Sequence, residues 1–175
     1  MMGDKLAYDG WLKVYKRKVG DREYDILNDY NAVAAIIVNQ YNEILLVKQF
    51  RPALMEETLE IPAGSLDIDN EDEITCLIRE LKEETGLIVK PESIKHLVSY
   101  KPMMGFSNSL MKIYHINVLK DEAQCAEIED EDVYDLVWMG FDELHNNIKN
   151  GDMLDAKTIL AFLSMKNNYT LIQNL

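Results

Sequence analysis

The stretch Arg79-Glu80-Leu81-Lys82-Glu83-Glu84-Thr85-Gly86-Leu87 decides how this chain is read. Glu80, Glu83 and Glu84 stand at i, i+3 and i+4, so on a helix their carboxylates share one face. Like charges so close destabilise one another unless something positive sits among them. Oxygen-rich clusters of this kind suit hard divalent cations, Mg2+ or Mn2+. Arg79 lies one turn before Glu83 and is placed to hold that carboxylate. A bare run of glutamates on a helix is otherwise a solvated face. The surrounding pattern decides between the two.

Just upstream, Ile74, Leu77, Ile78 and Leu81 repeat at i, i+3, i+4 and i+7, which predicts an amphipathic helix. Asn70 is its expected N-cap, acids fill its first turn, and Gly86 sits where a left-handed C-terminal residue belongs. The glutamate face is centred away from the apolar stripe, with Glu84 nearest the border, so a non-core position is expected for it. Residues 10–28 read as short strands around the turn signal Gly20-Asp21. Ala32 to Val38 and Ile44 to Phe50 are β-rich runs separated by Asn39-Gln40-Tyr41-Asn42, which predicts a hairpin. A further strand near Thr58 to Ile61 ends at Pro62-Ala63-Gly64. Beyond the helix, Ser93 to Tyr100, Leu110 to Leu119 and Val133 to Met139 read as strands, and Asp142 to Lys149 and Asp152 to Lys166 as helices. Without regular βαβ alternation, the pattern predicts an α/β (α+β mixed) domain, a mixed sheet with helices on its faces.

Bulk properties close several doors. The chain has 175 residues, 47% hydrophobic and 28% charged, the balance of one globular domain. Its 31 acidic and 18 basic residues leave a net charge of −13, which repels phosphate backbones and anionic lipid and excludes nucleic acid and membrane as expected partners. Cys76 and Cys125 are too few for a disulfide framework and too isolated for a zinc site, so free thiols are expected. The N-terminal residues lack the apolar stretch of a signal peptide, and the longest wholly apolar run, Ala32 to Val38, has only strand length. A cytoplasmic protein is the expectation. An acid-rich stretch lies between Asp121 and Asp135. His96, His115 and His145 show no ligand spacing and read as structural or surface residues.

Gly64, Glu71 and Arg79-Glu80-Leu81-x-Glu83-Glu84-x-Gly86-Leu87 resemble the Nudix box, G-x5-E-x7-R-E-U-x-E-E-x-G-U with U apolar. One departure is visible: six residues, Ser65 to Asn70, separate Gly64 from Glu71 where the pattern has five. The extra residue falls in the loop before the helix and leaves the metal face undisturbed, while the role of Glu71 stays open. Gln49-Phe50-Arg51-Pro52-Ala53 and Leu59-Glu60-Ile61-Pro62-Ala63-Gly64 are similar to the ADP-ribose pyrophosphatase branch of that family. So are Gly105-Phe106-Ser107-Asn108 and Glu129-Asp130-Glu131-Asp132-Val133.

The resemblance implies a Nudix α/β/α sandwich around a central mixed β-sheet, with residues 29–175 as the hydrolase domain. It implies a homodimer in which residues 1–28, the N-terminal strands, help to build the partner's nucleotide site. By the same resemblance Glu80, Glu83, Glu84 and the carbonyl of Ala63 would hold Mg2+, with Mn2+ as the alternative. Glu129 or Glu131 would act as general base, with Asp132 a third choice. Arg51 would fork onto the substrate diphosphate, and Glu60 would sit near the metal cluster or the ribose. Trp11 or Tyr30 would stack on a base, although core packing is the ordinary role of either aromatic. Arg79, Gly64 and Gly86 would orient the site. The implied activity is hydrolysis of a nucleoside diphosphate derivative, with ADP-ribose giving AMP and ribose 5-phosphate. GDP-mannose and ADP-glucose are alternative substrates, and a non-catalytic ADP-ribose-binding regulatory domain is the rival reading.

Overall fold

A computed structural model describes residues 4–120 and 127–173. Cys125 and the first part of the acid-rich stretch lie outside the described residues. The chain opens with β1 (Lys5–Asp9), β2 (Lys13–Val19) and β3 (Arg22–Asn28), then β4 (Ala32–Asn39), β5 (Glu43–Arg51), β6 (Glu56–Glu60) and β7 (Ala63–Ser65). Next come α1 (Glu73–Thr85), β8 (Lys95–Tyr100), β9 (Met111–Val118), β10 (Val133–Gly140), α2 (Phe141–Asn150) and α3 (Ala156–Gln173). No helix among the described residues is long and apolar enough to cross a membrane.

β4 organises the core because it is apolar on both faces. Val33, Ala35 and Ile37 pack with Cys76, Leu77 and Leu81 of α1, while Ala34, Ile36 and Val38 pack with Leu144 of α2 and Ala161, Phe162 and Met165 of α3. A strand buried on both faces reads as a continuous hydrophobic run rather than an alternating one, which is the pattern of residues 32–38. The result is a helix layer on each side of one sheet. Its strand order is β10-β5-β4-β9-β8, with β4 and β9 parallel and the other described pairs antiparallel. The expected mixed sheet with helices on its faces is therefore present.

The expected hairpin is only partly formed. β4 and β5 pair at Val38 and Ile44, next to the turn. Beyond that point they diverge, and β6 pairs with β5 while β7 pairs with β4. Ile61-Pro62 joins the two inserted strands. This wedge brings Ala63 and Gly64 to the middle of the sheet, where α1 crosses them.

Helix α1 starts later than its spacing suggested. Its N-cap is Asp72, whose carboxylate accepts from the N–H groups of Ile74 and Thr75, whereas Asn70 adopts φ 65° in the preceding loop. Asn tolerates this left-handed conformation better than most residues, so the turn at Asn70 absorbs the extra loop residue. Gly86 ends the helix at φ 69°, donating its N–H to the Lys82 carbonyl, as expected. The strand expected from Ser93 begins instead at Lys95, after a single 3-10 turn at Pro91–Ser93. Cys76 is buried as a free thiol.

Strands β1 to β3 form a separate antiparallel sheet. It is tied to the rest of the chain where the Leu27 N–H donates to the Phe106 carbonyl at 2.8 Å. Leu6, Tyr8, Val19 and Tyr24 are exposed on it. Trp11, in the turn between β1 and β2, is 78% exposed, so it is not a core residue. Tyr30 is also exposed.

Candidate active site

Glu84 is the largest departure from the expected surface position. It is only 4% exposed, because residues 77, 81 and 84 fall on one side of the helix at i, i+4 and i+7. Its Oε2 accepts the Ala63 N–H at 3.0 Å. Burial, reinforced by the charges of Glu80 and Asp130 and opposed by the Ala63 N–H and Lys157, pushes its carboxyl up to about 8. Burial likewise raises Glu80, against the pull of Arg79. Both carboxylates are therefore kept where their negative charge is under-compensated.

Gly64 explains how Glu80 reaches this position. A Cβ at Gly64 would stand 2.0 Å from Glu80 Cγ and Cδ, so the glutamate lies directly over the bare glycine Cα. The Ala35 N–H donates to the Pro62 carbonyl at 3.0 Å, which makes Ala34 and Ala63 the non-hydrogen-bonded pair of the β4–β7 ladder. The Ala63 N–H and carbonyl thus both turn away from β4. The N–H meets Glu84, and the carbonyl oxygen lies on the same edge.

Arg79 ties the acids together. Its Nε and Nη2 fork onto Glu71 at 2.9 Å each, and its Nη1 donates to Glu80 at 2.7 Å and to Glu83 at 3.0 Å. Glu71 therefore has a clear place despite the extra loop residue: it anchors the guanidinium that steers the other two acids. As these side chains stand, no group of three or more His, Cys, Asp or Glu among the described residues is gathered tightly enough to hold a metal ion. The donor set nevertheless fits a hard divalent cation. Glu71, Glu80 and Glu83 share the single guanidinium of Arg79, Glu84 meets the Ala63 N–H beside them, and the surplus negative charge lies on oxygen.

The acidic loop is fastened to the end of α1. The N–H groups of Glu129 and Asp130 donate to the Glu83 carbonyl at 2.9 and 3.1 Å. Glu129 pairs with Lys82 at 2.7 Å on the exposed side. Asp130, which sequence reasoning passed over, is the loop acid whose charge acts on Glu84. Its Oδ1 accepts the Asp132 N–H at 2.8 Å. Glu131 and Asp132 are exposed.

Arg51 and Glu60 meet across β5 and β6. Arg51 Nε reaches Glu60 Oε1 at 2.7 Å and Nη2 reaches Oε2 at 2.5 Å, while Thr58 Oγ1 donates to Oε1 at 2.7 Å. Lys157 Nζ also contacts Glu60 Oε2. Arg51, Glu60 and Lys157 line a cavity of about 630 Å3 between the β5–β6 turn and the start of α3, with Leu54, Asp155 and Leu154 on its walls. Trp11 is not among its lining residues. Lys157 is the second residue missed in the sequence. The available signal was its spacing with Ala161 and Met165, which places a lysine on the buried stripe of α3.

Burial alone would raise the Glu60 carboxyl, but Arg51, Lys157 and Thr58 bring it down from 4.5 to about 2. With the folded value below the unfolded one, this group stabilises the fold above pH 4.5, and the contribution fades as pH falls toward about 2. The contribution is on the order of 3 kcal/mol. Urea unfolding of Glu60→Gln should therefore show a flatter loss of stability between pH 5 and pH 2.5 than the parent protein. Equal slopes would contradict this charge state.

The NUDIX domain family model matches residues 30–162. The chain is 32% identical over 137 residues to a protein of Bacillus methanolicus named methanol dehydrogenase activator, covering 78% of this chain and 72% of that one. It is 28% identical over 144 residues to the ADP-ribose pyrophosphatase of Bacillus subtilis, covering 81% and 76%. Against the GDP-mannose pyrophosphatase of Cronobacter sakazakii it is 29% identical over 169 residues, covering 90% and 81%.

Proposed function

The chain belongs to the Nudix family, and on that footing we propose that it is a Mg2+-dependent pyrophosphohydrolase acting on ADP-ribose. The observation that carries this reading is the placement of Glu80 and Glu84 against Gly64 and Ala63 on the same molecule as a cavity that Arg51 and Lys157 line. In this reading Glu80, Glu83, Glu84 and the Ala63 carbonyl hold Mg2+, with Mn2+ a substitute. A divalent cation there supplies charge neutralisation at the diphosphate and a lower pKa for the attacking water.

The remaining work falls to the chain itself. Arg51 presents paired N–H donors to the diphosphate. Arg79, anchored on Glu71, keeps Glu80 and Glu83 in register. A carboxylate of the acidic loop takes the proton of the attacking water. Of Glu129 and Glu131, we favour Glu131, because Glu129 is engaged with Lys82. A P–O bond forms to water oxygen as the bridging P–O bond breaks, releasing AMP and ribose 5-phosphate.

Two pyrophosphatase relatives support the chemistry, and the GDP-mannose enzyme keeps other nucleotide sugars, ADP-glucose included, as alternative substrates. The activator relative favours a second reading, a domain that binds its nucleotide to regulate another protein. Incubation with ADP-ribose, GDP-mannose and ADP-glucose in Mg2+, followed by assay of phosphatase-releasable phosphate, separates these readings. Fastest release from ADP-ribose is the expected result, and no release from any of the three would overturn the enzymatic reading.

We assign residues 1–28 to a homodimer contact that completes the partner's nucleotide site, because Tyr8, Trp11 and Tyr24 are exposed on a sheet held mainly by its own strands. Deleting residues 1–28 is expected to weaken dimerisation in sedimentation and to raise KM. A truncated protein that stays dimeric with an unchanged KM would contradict this assignment.

A further inference from the structure

Lys157 is 7% exposed, and lysine is almost never so buried without a partner. Its Nζ has two, Glu60 Oε2 and Asp155 Oδ1, the latter at 3.1 Å. Asp155 is itself fixed by the first turn of α3, accepting the Thr158 N–H at 3.0 Å. Thr158 Oγ1 in turn accepts the Ile61 N–H at 2.9 Å. Lys157 is thus locked to both the helix and the strand that carries Glu60.

Glu60 lies between two cations of unequal access. Lys157 is enclosed, whereas the Arg51 side chain is 43% exposed and faces the cavity. Glu60 occupies the Nε–Nη2 edge of the guanidinium. The rigid fork leaves its Nη1 side free for a second acceptor. Arg51 and Lys157 are the two cations lining the cavity, against the acids Glu56, Glu57, Glu60, Asp152 and Asp155. Removing Lys157 leaves Arg51 alone against them, and the wall becomes more repulsive to an anionic ligand.

We propose that Lys157 is a positioning residue for Arg51: by sharing the Glu60 carboxylate it keeps that acid from engaging the guanidinium alone and leaves the free edge of Arg51 available to an anionic diphosphate in the cavity. This inference rests on the reading of the cavity as the diphosphate site. It assigns a substrate-binding consequence to a side chain that touches no substrate.

The test is a charge-swap cycle read by ADP-ribose, as Kd by calorimetry in EDTA and as KM and kcat in Mg2+. Lys157→Met is expected to raise Kd and KM about tenfold with kcat changed by less than about threefold. Lys157→Met combined with Glu60→Gln removes one charge of each sign, which returns the cavity to the parent's net charge and frees Arg51, so it is expected to recover Kd to within about threefold of the parent. Unchanged binding by Lys157→Met overturns the proposal, as does a double variant that binds no better than the single one. If Lys157→Met fails to fold, the double variant decides: parent-like Kd supports the proposal and weakened Kd overturns it. Should the parent bind ADP-ribose without cleaving it, the hydrolase reading falls while the Kd cycle still judges Lys157. A parent that neither binds nor cleaves it overturns both.

Discussion

Glu84→Gln is expected to lower Mg2+-dependent turnover of ADP-ribose by about two to three orders of magnitude while leaving a folded protein, the range seen when a group that stabilises transition-state charge is removed. The amide keeps the shape of the side chain, and its carbonyl oxygen can still accept the Ala63 N–H that Glu84 Oε2 accepts at 3.0 Å. What it loses is the negative charge. In the buried position that charge is unfavourable, which is why the carboxyl is pushed up to about 8. Removing it should leave thermal stability unchanged or slightly raised. Circular dichroism melts beside kinetic assays check both halves. Parent-like turnover would remove Glu84 from the site, and loss of the fold would show that the carboxylate is needed for structure.

The second large effect is expected from Gly64→Ala. The added Cβ would lie 2.0 Å from Glu80 Cγ and Cδ, well inside any tolerable contact. Its obstacle is a flexible side chain rather than backbone, so Glu80 should yield and the sheet should not. The cost then falls on the metal rather than on folding. Apparent Mg2+ affinity or turnover should drop by about 10- to 100-fold. The melting temperature should move by only a few degrees. A stability loss without a change in Mg2+ dependence would mean that the glycine serves packing alone.

These two positions also show what the sequence made legible. Glycine at position 64 belonged to a recognisable spacing, but its reason, the side chain of Glu80 lying across it, appears only when β7 and α1 are brought together. The stripe at Leu77 and Leu81 gave the helix and its buried face, and Gly86 gave its end. The start was misread because Asn70 and Asp72 are both capping types, and only the backbone shows that Asn70 turns left-handed while Asp72 caps. Glu84 is expected outside the core because the glutamate face as a whole is centred away from the apolar stripe, yet its own spacing from Leu77 and Leu81 places it on the inner side. The Ala63 N–H accounts for its survival there.

Elements with period-two or continuous apolar patterns were readable in advance, and most boundaries of β4, β5, β9 and β10 fall within a residue or two of expectation. β1 was missed, since Lys5–Asp9 is exposed along its whole length and carries no burial pattern. The divergence of β4 and β5 was equally hidden: it depends on β6 and β7 wedging between them. Lys157 needed the fold as well, because Glu60 and Lys157 are 97 residues apart in the chain.

The most direct test is a crystal of the protein with Mn2+ and a non-cleavable methylene analogue of ADP-ribose, read by anomalous scattering. The account predicts manganese peaks within ligand distance of Glu80, Glu83, Glu84 and the Ala63 carbonyl, next to the analogue's phosphates. Peaks elsewhere, with Glu80 and Glu83 still turned to Arg79, Glu84 still on the Ala63 N–H and all three distant from the analogue, would contradict it.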